Sequence, residues 1–334
     1  MQHVKDCFQR KVGSSCLIHA VECNRTTSDN KGRTLDGVDT GGLRIHEEVE
    51  ALVQQNSHLR FISVYGFSLG GLYARYFAAS AFDTETGLIC GLQPTAFMTI
   101  SSPHLGVKHL AGGFVTWAIS WFKDPSWTRT FKQLYTDDHL AYIETEAKQT
   151  EQAKQTLEAK DGEGEGHSDA SVPLELQCLP LLVRMTRKNQ ELPFLEALAA
   201  FPFRCIYANT KGDMPVPYPT GSISPYDSPN CNPKCAVSAA FTSNPDFPSI
   251  VNIREVPPQP LPNKKEKTYF ASLKDEQARC YLQEMITNLN ELSWRRVDMR
   301  IPRGDAHNIC IGNGGGWNKN LVSAVEAGRL AVLV

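Results

Sequence analysis

A glycine-flanked serine between a strand-like and a helix-like segment is the feature that most constrains this chain. The apolar run Arg-Phe-Ile-Ser-Val-Tyr covers 60–65, Gly-Phe-Ser-Leu-Gly follows at 66–70, and helical periodicity extends over 70–81. A serine at such a junction sits on a sharp, strained turn, which projects its Oγ from the edge of a sheet. The pattern therefore predicts a nucleophile elbow at Ser68, the alternative being an incidental glycine-rich turn.

Composition limits the class of protein. The 34 basic and 36 acidic residues among 334 are nearly balanced, which argues against a dedicated nucleic-acid binder. The chain opens without a signal-like apolar segment, and no charge-free apolar run is long enough to span a bilayer. Ten cysteines show neither a disulfide framework nor metal-site spacing, as is typical of buried thiols in a reducing compartment. We therefore expect a cytoplasmic protein that needs no metal and no cofactor.

Strand-like apolar runs alternate with helical periodicity, which favours an α/β protein with a mostly parallel sheet. Predicted strands cover 15–23, 60–65, 94–100, 203–209 and 294–301, and predicted helices cover 41–55, 70–81, 274–292 and 318–334. Two segments interrupt this alternation. Residues 144–172 form a low-complexity insert that we expect to be disordered, and 215–262 form a proline-rich, irregular excursion. We predict a single domain over 1–334.

A serine nucleophile needs a base that takes its proton and a third group that orients this base. In enzymes with a nucleophile elbow the chain order is serine, acid, histidine, and the last two lie on loops after later strands. Asp213 follows the predicted strand at 203–209, and His307 follows the one at 294–301. Both should therefore lie at the same edge of the sheet as Ser68.

Other residues compete for these two roles. His104 also follows a predicted strand, but its position before Leu-Gly favours a site-lining or turn-fixing residue over the base. The alternatives for the acid are Asp227, Asp246 and Asp305.

Further short motifs follow one another in a fixed order between about residues 30 and 312. They are Thr-Leu-Asp-Gly-Val-Asp at 34–39 with Gly42, Gly-Phe-Ser-Leu-Gly-Gly at 66–71, Ser-Ser-Pro-His-Leu-Gly at 101–106, Tyr-Ala-Asn at 207–209 with Asp213, Val216-Pro217 with Thr220, and Asp-Ala-His-Asn at 305–308. Together they resemble the lipase-like putative serine esterase family of eukaryotic α/β-hydrolases. The resemblance implies the α/β-hydrolase fold, a triad of Ser68, Asp213 and His307, and hydrolysis of carboxylic esters, in particular lipid esters.

The chain departs from the family pattern before Ser68. The family begins with an apolar strand whose His-Gly turn supplies an oxyanion amide, and no such segment is found, so Leu69 N–H is left as the predicted oxyanion donor. In this fold the missing strand lies between those that start near Ser15 and Arg60, so we expect a gap in the sheet there. An N-terminally incomplete sequence would explain the departure. A catalytically inactive module that binds lipid or protein partners would explain it as well.

An aromatic segment follows the motif at 101–106. Phe114, Trp117 and Trp121 recur at helical spacing, and the segment continues with Phe122, Trp127, Phe131 and Tyr135. It is either a helix packed on the core or a cap that lines an acyl-chain pocket or touches a lipid surface. In the second case the substrate-binding residues would be Phe67, His104, Trp117 and Trp121. The partner would be a lipid or small ester, with peripheral association with membranes or lipid droplets.

Overall fold

The computed structural model describes residues 2–25, 33–108, 129–138, 179–188, 191–226, 249–258, 268–301, 306–309 and 329–333. The helices in these ranges are α1 (Gln2–Val12), α2 (Val38–Gln55), α3 (Gly70–Ser80), α4 (Arg129–Leu134), α5 (Leu181–Arg184), α6 (Phe194–Ala199), α7 (Tyr218–Ser222), α8 (Glu276–Leu289) and α9 (Ala306–Ile309). The strands are β1 (Cys16–Ala20), β2 (Phe61–Phe67), β3 (Gln93–Ile100), β4 (Phe203–Asn209), β5 (Ile250–Val256), β6 (Trp294–Met299) and β7 (Arg329–Leu333). No helix in the described ranges is both long enough and apolar enough to cross a membrane.

The described strands form one sheet in the order β1-β7-β2-β3-β4-β6-β5. Every neighbouring pair is parallel except β5 and β6, which are antiparallel. Parallel neighbours need a crossover, and α2 and α3 supply those that lead into β2 and β3. The predicted α/β fold is confirmed, and the carboxyl ends of six strands meet at one edge.

Side chains of β2 show how the sheet separates two apolar layers. Ile62 and Val64 point into a large cluster with α2, α3, α6 and α8, whereas Tyr65 belongs to a second cluster with α1. Because successive strand residues face opposite sides, these memberships place the two clusters on the two faces of the sheet. Phe8 of α1 packs on Tyr65, with ring centroids 4.9 Å apart. Helix α1 was not predicted from the sequence.

The gap that we expected beside β2 is filled by β7, so that expectation is wrong. Val332 pairs with His19 of β1 on one side and with Val64 of β2 on the other, and its side chain is fully buried. The helix predicted over 318–334 is also wrong for 329–333. An unfilled position would leave backbone N–H and C=O groups of β1 and β2 without partners. The short apolar run at 329–333 satisfies these groups by forming a strand between them.

The predicted irregular excursion at 215–262 contains regular structure that the proline content hid. Helix α7 begins directly after Pro217, and β5 is a proline-free edge strand. In β5, Asn252, Arg254 and Val256 alternate with more exposed residues, which is the period of a half-buried strand. The predicted insert at 144–172 lies outside the described residues, and the single-domain assignment stays a prediction.

Candidate active site

Ser68 lies between the end of β2 and the start of α3 in a strained backbone conformation. Its φ is +52°, a left-handed value that is unfavourable for a residue with a side chain. The Ser68 N–H donates to Ile100 O at 3.0 Å, which ties the turn to the end of β3. This is the strand–turn–helix geometry expected of a serine whose hydroxyl projects from the sheet edge.

Two glycines allow this turn to close. A Cβ on Gly66 would lie 2.4 Å from the Cα of Gly71, and a Cβ on Gly71 would lie 2.1 Å from Ser102 Oγ. Neither distance is compatible with a side chain. Gly71, just beyond the Gly-x-Ser-x-Gly pattern, is therefore as necessary for close packing of α3 on β2 and β3 as Gly66 is.

The structure brings Ser68, His307 and Asp213 into one hydrogen-bonded chain. His307 Nε2 lies 2.8 Å from Ser68 Oγ, and His307 Nδ1 lies 2.9 Å from Asp213 Oδ1. An ionised carboxylate can only accept a hydrogen bond, so the bond to Asp213 places the ring proton on Nδ1 and directs the Nε2 lone pair towards Ser68 Oγ. Ser68 directly follows β2, Asp213 lies on the loop after β4, and His307 lies on the chain that continues from β6, as the sequence predicted. Their catalytic roles stay predictions at this point.

Asp213 and His307 are buried and held by further contacts. Asp213 Oδ1 also accepts the Val216 N–H at 3.1 Å, while its Oδ2 is buried and has no partner in the described part of the chain. The Phe67 ring lies 4.9 Å from the His307 imidazole at a tilt of 36°. Phe67 therefore packs on the imidazole, and its predicted contact with substrate stays a prediction.

Leu69 directly precedes α3, so its amide belongs to the N-terminal end of that helix. Amide donors and the positive end of the helix dipole favour negative charge at such a position. The amide is one residue from Ser68, where an oxyanion would form during attack on a carbonyl. The geometry is compatible with the predicted role of Leu69 as oxyanion donor.

His104 is fully buried, and the residue hydrogen-bonded to Ser68 Oγ is His307. Its Nε2 lies 2.8 Å from Thr99 Oγ1, and its carbonyl accepts a hydrogen bond from Arg75 Nη1 at 3.2 Å. Burial, together with the nearby Arg75 cation, holds the pKa of His104 well below its ordinary value of 6.5, so the ring is neutral. This placement favours the turn-fixing alternative over the predicted substrate contact.

Arg75 was not singled out from the sequence. It lies on α3, is fully buried, and donates to the carbonyls of His104 and Met185. Burial lowers its pKa to about 10. The sequence signal that could have identified Arg75 was a charged residue in a predicted helix whose other positions are all small or apolar. Its hydrogen bonds fasten the turn after β3 and the end of α5 to the helix behind the serine.

Several predicted residues lie outside the described part of the chain. These are Trp117 and Trp121 among the substrate contacts, and Asp227, Asp246 and Asp305 among the alternative acids. At the end of the aromatic segment, Phe131 of α4 is buried in the larger apolar cluster, with Tyr135 packed against it. For these two residues the core interpretation is confirmed.

Comparison with protein families gives a match over more than half of the chain. The model of the family described as putative serine esterase, DUF676, matches residues 1–230, which is 230 of the 334 residues. The chain belongs to this family. Family membership and the mostly parallel sheet together give the α/β-hydrolase fold expected from the sequence. Neither the curated proteins nor the solved structures that were compared with the chain gave a match.

The putative serine esterase match contains Ser68 and Asp213 and ends before His307. The third member of the hydrogen-bonded chain is therefore assigned from geometry, since its imidazole bonds to both matched residues.

Proposed function

We propose that this serine esterase family member cleaves carboxylic esters through an acyl-enzyme intermediate. The observation that carries the proposal is the hydrogen-bonded chain from Asp213 through His307 to the strained Ser68. The two hydrogen bonds join a carboxylate, an imidazole and a hydroxyl in the order that acyl transfer uses. No further group is needed for acyl transfer to and from a serine.

In the acylation step Ser68 Oγ attacks the ester carbonyl carbon while His307 Nε2 takes the hydroxyl proton. Asp213 keeps the imidazole in the correct tautomer and stabilises the imidazolium that forms. The carbonyl oxygen becomes an oxyanion, which the Leu69 N–H stabilises. When this intermediate collapses, the bond to the alcohol breaks, and His307 returns the proton to the departing alcohol oxygen.

Deacylation repeats these steps with water. His307 takes a proton from a water molecule, whose oxygen attacks the acyl carbon, and the Ser68 Oγ–carbon bond breaks. The proton returns to Ser68, and the carboxylic acid leaves. An acceptor alcohol in place of water would give acyl transfer with the same residues.

The proposed ester is a lipid ester, and the support for it comes from the sequence. The motifs resemble lipase-like members of the family, and tryptophans at 117, 121 and 127 follow the turn at the site. A series of p-nitrophenyl esters of increasing acyl length tests this point. We expect kcat/KM to rise from acetate to long acyl chains, and a steady fall along the series would contradict lipid specificity.

The decisive test of the activity is labelling with a fluorophosphonate probe. We expect a covalent adduct on the wild-type protein and on Ser80→Ala, a control at the end of the helix that follows Ser68, but none on Ser68→Ala. Folded wild-type protein without a Ser68-dependent adduct would favour the inactive module instead. Asp213→Asn should lower kcat by about 10⁴-fold, because the imidazole loses the partner that fixes its tautomer. An unchanged rate would assign the acid to another residue.

A further inference from the structure

The loop at 210–217 carries Asp213 and joins β4 to α7. On one side it borders an open cleft of about 230 Å³ lined by Asn209, Thr210, Lys211, Gly212, Asp213, Pro217, Tyr218 and Pro219. Among the described residues, therefore, no side-chain packing holds this loop from the cleft side. The hydrogen bond between Asp213 and His307 needs both groups within a few tenths of an ångström of the observed separation, so the loop must be fixed in another way.

The start of the loop is tied to the chain that leaves β6. Asn209 is buried, and its Oδ1 accepts the Ile301 N–H at 3.0 Å while its Nδ2 donates to the Ile301 carbonyl at 3.4 Å. The neighbouring Thr210 donates from both its backbone N–H and its hydroxyl to Met299 O, at 2.7 and 2.9 Å. The ladder between β4 and β6 ends at Asn209 and Met299, and the Asn209 amide extends the pairing beyond it.

The end of the loop is tied to the carboxyl-terminal part of β6. The Tyr218 hydroxyl donates to Asp298 Oδ1 at 2.8 Å, and Asp298 is fully buried. Arg254 of β5 supplies the compensating charge, because its Nη2 lies 2.7 Å from Asp298 Oδ2 and 2.7 Å from the Tyr218 oxygen. A charged acceptor that is fully buried makes a strong and specific hydrogen bond.

We propose that Asn209 and Tyr218 are positioning residues that clamp both ends of the Asp213 loop to β6. His307 lies six residues after Ile301, on the chain that continues from the same strand. The clamp therefore fixes the position of the Asp213 loop relative to β6, and it acts on catalysis through the hydrogen bond between Asp213 and His307 without touching substrate. This inference rests on the proposed hydrolase function for its kinetic readout, and it also predicts a spectroscopic one.

The test compares Asn209→Ala and Tyr218→Phe with Asn290→Ala. Asn290 is a matched control because it is also buried, with Oδ1 accepting from Arg296 at 2.6 Å and Nδ2 donating to Ile223 O at 3.4 Å, yet it does not hold the 210–217 loop. With p-nitrophenyl butyrate, we expect the first two variants to lose about 10- to 100-fold in kcat, because a small misplacement is amplified in the rate. Their KM should stay within about twofold of wild type. Asn290→Ala should lose a similar amount in thermal midpoint but keep its kcat.

A second readout does not depend on turnover. In a Ser68→Ala background the proton shared by His307 Nδ1 and Asp213 should give a far-downfield proton resonance, which Asn209→Ala should broaden or abolish and Asn290→Ala should leave. Unchanged kcat in both clamp variants, or an equal kcat loss in Asn290→Ala, would overturn the inference. If the wild type gives no Ser68-dependent labelling, the proposed function fails and the resonance alone decides. Its loss in Asn209→Ala then supports the clamp, and its persistence overturns it.

Discussion

The substitution Val332→Pro is the sharpest test of the sheet order, because it interrupts β7, the strand that lies beside β2. Val332 is the fourth of the five residues of β7, lies between His19 of β1 and Val64 of β2, and is fully buried. In a strand paired on both sides every backbone N–H is used, and proline has none to donate. Val332→Pro therefore leaves one buried carbonyl without a partner and also distorts the strand.

The magnitude follows from these losses. A buried acceptor that loses its partner costs about 1–3 kcal/mol, and steric conflict of the ring with a central strand adds a comparable amount. We expect a total of about 3–5 kcal/mol, against a typical total stability of about 5–15 kcal/mol. For a chain of this size that corresponds to a fall in Tm of roughly 4–7 °C.

Val251→Pro is the matched control. Val251 lies on the edge strand β5, at the irregularity between Ile250 and Asn252 where the register shifts, and is 40% exposed. Proline is tolerated at such edge and bulge positions, so the expected change is below about 1 kcal/mol. Thermal and urea unfolding followed by far-ultraviolet circular dichroism measure both variants. A loss in Val332→Pro no larger than that in Val251→Pro would refute the placement of β7 between β1 and β2.

Two further predictions concern the packing behind Ser68. Gly71→Ala should lower the free energy of unfolding by about 1–3 kcal/mol, because the added Cβ would lie 2.1 Å from Ser102 Oγ. The control Gly221→Ala should be neutral or stabilising, since its added Cβ would meet no atom closer than 3.4 Å. Urea midpoints measure this, and the reverse order would contradict the close approach of α3 to β3. His104 stays neutral in the folded state but takes a proton near pH 6.5 when unfolded, so stability should fall as pH drops below about 6.5, by at most about 1.4 kcal/mol per pH unit. The stability difference between wild type and His104→Gln should therefore shrink from pH 7 to pH 5, and parallel curves would show that His104 titrates normally in the fold.

The sequence predicted the elements around Ser68 well because their signals are local. The strand at 203–209 was predicted with the bounds of β4, and the predicted helix at 70–81 differs from α3 by one residue. The shared edge of parallel strands then brought Asp213 and His307 to Ser68 without any knowledge of side-chain contacts. That reasoning needs only strand direction, which short apolar runs and the helices between them specify.

β7 could not be predicted in the same way because its conformation depends on partners far away in sequence. Residues 329–333 are apolar enough for a helix or a strand, and the choice is made by β1 and β2, more than 260 residues earlier. The clamp at Asn209 and Tyr218 was missed for a related reason. Its hydrogen bonds join residues 92 and 80 positions apart, and no spacing rule links them.

Buried polar groups fix the turn after β3, which lies beside the site although the candidate active side chains come from other strands. β2 and β6 are three positions apart in the sheet, which is about 14 Å at a strand spacing of about 4.8 Å. His307 of α9 nevertheless lies 2.8 Å from Ser68 Oγ, at the end of β2. Ser101, with a left-handed φ of +47°, turns the chain directly after β3. Arg75 of α3 donates a hydrogen bond to the His104 carbonyl in this turn. The buried Arg75 thus ties the turn after β3 to the helix that follows Ser68.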